Sequence, residues 1–131
     1  MIDYKHMQQV RERLIRERPG LTLLALFERD DWRGVWDLIV AGGGLRDDRR
    51  EDFHYVDSVL KEFLTREEKQ QLEKIVILPA DYEPVVKLVN RVQPLNGNAP
   101  VELENINFYQ FLIRTALIFH ADPAEVGAVH A

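Results

Sequence analysis

Cysteine is absent from the 131 residues, and serine occurs once, at Ser58. The first absence excludes disulfides, thiolate metal sites and thiol catalysis together. The second leaves a Ser/His/Asp arrangement a single candidate nucleophile, and Ser58 falls inside a helical pattern rather than on a strand-to-helix elbow. No apolar run approaches the ~20 residues needed to span a bilayer as a helix, and the polar opening MIDYKHMQQV lacks an apolar signal core. A basic excess is missing too. Net charge is −5 and the pI is near 5.4, a handicap for sequence-independent nucleic-acid binding. Together these absences predict a cytoplasmic protein with no membrane partner, no cofactor and nucleic acid disfavoured; the Arg-rich composition reads as bacterial.

Hydrophobic residues make up 46% of the chain and charged residues 30%, the balance of a globular domain rather than a disordered one. At 15.3 kDa the chain is long enough to close one core. We expect a single α+β domain over residues 1–121, with a small polar tail at 122–131 that is loosely held.

The stretch Leu21 to Ala41, LTLLALFERDDWRGVWDLIVA, organises this expectation. It reads as two apolar strands joined by a polar turn centred on Asp31-Trp32, which sets Phe27 opposite Trp36 and Leu26 opposite Asp37. In that register Leu21, Leu23, Ala25 and Phe27 share a face with Trp36, Leu38 and Val40. Leu24, Leu26 and Glu28 share the other with Asp37, Ile39 and Ala41. Both faces are largely apolar, so both are expected to be covered.

Around the hairpin, Asp3 can cap a helix running to about Arg18, with Tyr4, Met7, Val10, Leu14 and Ile15 as its apolar stripe and Pro19-Gly20 as its stop. A second helix is predicted from Asp47 or Asp48 to Leu64. Its stripe is Phe53, Val56, Leu60 and Phe63, widened by Val59 and Leu64. Thr65 with Glu68 is a capping-box signature for a short helix over 66–73. Ile75 to Leu78 is an unbroken apolar run that suits a strand buried on both faces, reached by a crossover and therefore parallel to the second strand. Asp81 can cap a helix with Pro84 in its first turn and Pro94 at its end. Asn96-Gly97-Asn98 reads as a loop, 101–104 as a half-exposed strand and 111–120 as a longer one. The result is a mixed sheet of about five strands with three main helices, in the order α-β-β-α-α-β-α-β-β.

Few residues carry chemistry in a recognisable pattern. His6, His54, His120 and His130 show no metal-ligand spacing, and His54, beside its helix's apolar stripe, reads as structural. Gly42-Gly43-Gly44 lacks the Lys-Ser/Thr of a phosphate loop, and Asp47-Asp48 would repel phosphate, so it reads as a flexible connector. Asp37 is the informative position, because a carboxylate among apolar strand residues must meet a partner or shift its pKa. Two partners fit. Arg114, embedded in an apolar strand, would form a buried ion pair with it. Glu28, its diagonal neighbour, would instead share a divalent cation with it. Trp32 at the turn either covers the sheet edge or anchors a partner.

Two resemblances rest on these stretches. The order helix, strand ending LF, turn, strand WDLIV, helix resembles the opening of small nucleotidyltransferase domains over about a fifth of the chain. Glu28-Arg29 stand where that family has Gly-Ser, and Val35 stands where it has the first acid of its Asp-x-Asp pair; only Asp37 is kept. The resemblance implies a catalytically dead relative. LFERDD, WDLIV, LEKIVIL and VELENINFY are similar, over most of the chain, to short bacterial proteins with no assigned activity, which implies a fold without a function. The expectation is a non-catalytic protein-interaction or regulatory module, with protein partners that include a second copy as a homodimer. The alternative is a metal-dependent enzyme or binder of nucleotides or nucleic acid, using Asp37 and Glu28 with Arg114.

Overall fold

The structure is a computed structural model that describes residues 2–31, 33–92 and 100–123. Helix α1 (Tyr4–Glu17) precedes strands β1 (Leu21–Arg29) and β2 (Trp36–Gly42). Helices α2 (Arg50–Phe63) and α3 (Arg66–Gln70) lead to strand β3 (Leu72–Leu78), helix α4 (Glu83–Val92) and strands β4 (Val101–Phe108) and β5 (Phe111–Ala121). The fold is α+β in one domain, with the element order expected from the sequence. Its single five-stranded sheet runs β3-β2-β1-β5-β4. β2 and β3 are parallel; every other neighbouring pair is antiparallel.

Local chemistry sets most boundaries. The Asp3 carboxylate accepts from the Lys5 amide at 2.8 Å and starts α1, and Met7, Val10 and Leu14 form its fully buried stripe. The capping box of α3 is complete: Thr65 Oγ1 accepts from the Glu68 amide at 3.1 Å, and Glu68 Oε1 accepts from the Thr65 amide at 2.8 Å. Glu68 also accepts from the Asp3 amide at 2.6 Å and meets His6 Nδ1 at 2.7 Å. One carboxylate thus ties the start of α1 to the start of α3.

Helix α2 begins at Arg50, later than the sequence suggested. The buried Asp52 carboxylate reaches back to the Arg46 amide at 2.9 Å and holds the preceding residues outside the helix. At Gly42 and Gly43 the glycine run is a close-packed turn, not a slack connector, while Gly44 faces open space. A Cβ on Gly42, whose φ is +86°, would stand 2.6 Å from the Gly20 carbonyl oxygen. The Gly43 amide donates to that same oxygen at 3.1 Å.

Three expectations need correction. The hairpin register differs by one residue: Phe27 lies opposite Asp37, Leu26 opposite Leu38 and Glu28 opposite Trp36. A one-residue slip exchanges the faces of a strand, and with apolar residues on both faces the pattern alone did not select between the two pairings. β3 is an edge strand, so Ile77 alone among its residues is fully buried. β4 continues past residue 104 to Phe108, because it forms with β5 a hairpin whose last pair is Phe108 with Phe111. The loop expected at 96–98 and most of the expected tail, 124–131, lie outside the described residues; Asp122 is held by its amide's 2.9 Å bond to the Thr22 carbonyl.

The two faces of the sheet are covered unequally. Leu24, Leu26, Trp36, Leu38, Val40, Leu117 and Phe119 pack under α1 and α2. Leu23, Ala25, Ile39, Ala41, Ala116 and Ile118 pack under α4 through Val85, Leu88 and Val89. Among the described residues no helix is long and apolar enough to cross a membrane.

Candidate functional site

The ten residues of α4 do not cover their whole face. Beyond the helix lies a cleft of about 160 Å³, with Phe27, Asp37, Ile39, Lys74 and Val76 along the sheet and Tyr82, Phe108, Tyr109 and Phe111 among its walls. Strand alternation explains the polar group within it. Phe27, Asp37 and Lys74 lie side by side across β1, β2 and β3. Arg29, two residues beyond Phe27, returns to the same face. A carboxylate is thereby flanked by a cation on each side, on an otherwise apolar sheet.

Asp37 is only 6% exposed. Arg29 Nε stands 3.6 Å from its Oδ2, and also 3.9 Å from Asp31. At 3.6 Å the contact is an ion pair without a hydrogen bond. Burial pushes the Asp37 carboxyl above its ordinary value; Arg29 and Lys74 pull it down, but not enough to cancel the burial. The cleft therefore holds a carboxylate with hydrogen-bonding capacity in hand, a common property of binding and catalytic acids.

The structure separates the pairs that the sequence put together. Arg114 meets Glu28, at 3.8 Å, and not Asp37. β5 has an extra residue at this point: Glu28 lies opposite Thr115 and Arg29 opposite Ile113, so Arg114 is bulged out between them. Glu28 lies opposite Trp36, on the α1/α2 face, and its Oε2 accepts from the Gly34 amide at 2.7 Å. Asp37 and Glu28 are thus on opposite faces of the sheet, and no cation can bridge them. Among the described residues no group of three or more His, Asp or Glu side chains forms a metal-binding cluster. Trp32 lies outside the described residues.

Other candidates resolve into structural roles. His54 is exposed, contrary to expectation, and the buried histidine is His120. Its Nε2 donates to the Leu21 carbonyl at 2.8 Å, while Nδ1 is buried without a hydrogen-bond partner among the described residues. Ser58 donates to the Tyr55 carbonyl at 2.6 Å within its own helix.

The rim of the cleft is the β4–β5 hairpin. Its two-residue turn places Tyr109 at φ +58°, a region that glycine or asparagine fills readily and that costs a bulky side chain on the order of 1–2 kcal/mol. Phe108 packs edge-on to Phe27 with ring centroids 5.1 Å apart, and Tyr82 lies 6.4 Å from Phe108 and 6.3 Å from Tyr109. Tyr109, Phe111 and Leu112 are 60%, 56% and 45% exposed. Tyr109 and Phe111 stand on the cleft side of the tip, while Leu112, next to Phe111 in the strand, points to the other face; exposed rings beside a cleft mark a binding surface. Arg29, Lys74 and Tyr82 went unrecognised; in the correct register, Arg29 and Lys74 would have appeared as neighbours of the buried acid. Comparison of the chain with protein-family models, with curated proteins and with solved structures finds no match in any of the three.

Proposed function

We propose that this chain is a non-catalytic binding module that engages a protein partner through the aromatic-rimmed cleft. The observation that supports this reading most directly is the pair of exposed rings, Tyr109 and Phe111, that line the cleft beside Asp37, a carboxylate with no hydrogen bond among the described residues. Binding energy in protein interfaces concentrates in a few aromatic and arginine anchors around a desolvated pocket. Here Phe108, Phe111 and Arg29 are disposed in that way around Asp37. The cleft, at about 160 Å³, lies below the roughly 300–1,000 Å³ of small-molecule and cofactor sites. It suits one inserted side chain better than a whole cofactor.

A random-peptide display selection on the intact chain tests the reading. Enriched peptides are expected to bind the wild type and to lose binding to Phe111→Ser. Failure to enrich any sequence, or enriched peptides indifferent to Phe111→Ser, would overturn it.

A further inference from the structure

The cleft has a neighbour. A broader groove of about 530 Å³ runs between α4 and β4, and Tyr82, Phe108 and Tyr109 line both depressions. The charges around the pair run against those of the chain. Arg29 and Lys74 line the cleft, and Lys87 and Arg91 line the groove. The carboxylates there are Asp37 and Glu83, the latter held by Lys87 at 2.8 Å. Asp31, 3.9 Å from Arg29, adds a third carboxylate, but Lys74 and Arg91 have no ion pair among the described residues, on a protein whose net charge is −5. A basic surface on an acidic chain selects for an acidic occupant through local complementarity, which sets specificity and association rate.

The cleft adds a second requirement. Its floor is apolar, with Ile39 and Val76, and its walls are aromatic, so the inserted group must be apolar and is best planar. Asp37 lacks a hydrogen bond among the described residues, so the same group should also carry a donor. An indole or phenol meets both conditions; a phenylalanine ring or an aliphatic chain does not. The β4–β5 tip of a second copy, Phe108-Tyr109-Gln110-Phe111-Leu112, is a poor source of such a segment, since it contains no acid.

Building on the binding reading above, we infer that the occupant is an acidic peptide segment anchored by one Trp or Tyr. The ring sits over Ile39 and Val76 and donates its N–H or O–H to Asp37, while flanking carboxylates meet Lys74 and Arg91. A long nucleic acid is the weaker occupant, because the chain's overall negative charge repels a polyanion that extends beyond the groove.

Fluorescence-polarisation titrations with labelled peptides provide the test. One probe carries a single Trp between Glu residues; a second has Lys in place of each Glu; a third has Phe in place of Trp. The Glu/Trp probe is expected to bind the wild type at least tenfold more tightly than the Lys probe. Its affinity should fall with added salt and with Lys74→Gln or Arg91→Glu, both at exposed positions. Trp-to-Phe replacement should weaken binding severalfold to the wild type and have little effect on Asp37→Ala, the coupling expected of a direct hydrogen bond. Equal or tighter binding of the Lys probe, or the same Trp-to-Phe loss in Asp37→Ala, would overturn the inference. So would a short single-stranded oligonucleotide that outcompetes the Glu/Trp probe. If display selection enriches basic or ring-free peptides that still require Phe111, this inference fails and the binding reading stands. If no peptide of any composition binds, both fail.

Discussion

The two faces of the sheet are made by alternate residues of the same strands, yet they have been put to different uses. Under α1 and α2 the face is sealed: Leu24, Leu26, Leu38 and Phe119 lie fully out of water. Helix α4 seals only part of the other face and leaves Asp37 at the bottom of a cleft rimmed by exposed rings. Two neighbouring residues, Asp37 and Leu38, therefore face opposite demands. The contrast shows how a small domain can keep a destabilising carboxylate: a complete core on one face compensates for an incomplete one on the other.

The sharpest way to test the contrast is to truncate a side chain on each face. Phe119→Ala, which also removes an edge-on contact with Tyr4 at 5.9 Å, should cost about 3–5 kcal/mol in urea unfolding. Next in size is Glu68→Ala on the sealed side, at about 2 kcal/mol, because it frees the backbone amides of Asp3 and Thr65. Burial would raise the Glu68 carboxyl, but the amides of Asp3 and Thr65 and the His6 ring outweigh it and hold the group below its ordinary value. Its stabilisation is therefore present above that ordinary value and lost as pH falls through the folded one, so mutant and wild-type stabilities should converge in acid.

His120, also on the sealed side, gives a pH signature of its own. Burial lowers its pKa, with the Leu21 hydrogen bond opposing and the Arg11 charge reinforcing the shift. Protonation would place a charge and a donor on Nδ1, which has no acceptor among the described residues. Stability should be full above the ordinary histidine value and fall as pH drops through the lowered folded one, by about 1.4 kcal/mol for each unit separating folded and unfolded pKa. A His120→Gln variant should flatten that slope in thermal unfolding between neutral and mildly acidic pH.

On the open side the sign reverses. The Asp37 carboxyl is raised, chiefly by burial, so its contribution is most favourable below the ordinary aspartate value and is lost as pH rises through the folded one. Asp37→Asn should therefore raise stability at neutral pH, by about 0.5–2 kcal/mol if it behaves as other single stabilising changes at functional sites do. A marked loss of Tm would mean that the Arg29 contact matters more to the fold than to binding, and would erase the distinction between the faces. Phe111→Ser should be the quietest of all, within about 0.5 kcal/mol of wild type, while abolishing peptide binding.

Much of the fold was legible in local signals. The stripe of α1, the Pro19-Gly20 stop, the Thr65–Glu68 capping box and the crossover to a parallel β3 each follow from a few neighbouring residues. The site was legible only in part. Asp37 stood out because a lone acid in WDLIV conflicts with its surroundings, but its partners depended on strand register. Register is a long-range property, and Leu23 and Leu24 on β1, like Leu38 and Ile39 on β2, are equally content facing either way. Arg114 looked like the required cation because it interrupts an apolar strand; the bulge that turns it toward Glu28 has no local signature. The extension of β4 to Phe108 was hidden by Asn105, which adopts φ 53° within the strand and breaks the alternation.

The strand order carries a consequence for synthesis. β1 is the middle strand, and its second neighbour is β5, the last of the described strands; the His120 bond to Leu21 joins residues 99 positions apart. Until β5 arrives, one whole edge of LTLLALF is unpaired and carries no charge to keep other chains away. A chain stopped before Val101 should therefore aggregate rather than remain as a smaller folded domain, and the growing polypeptide needs protection from its own kind until β5 is in place.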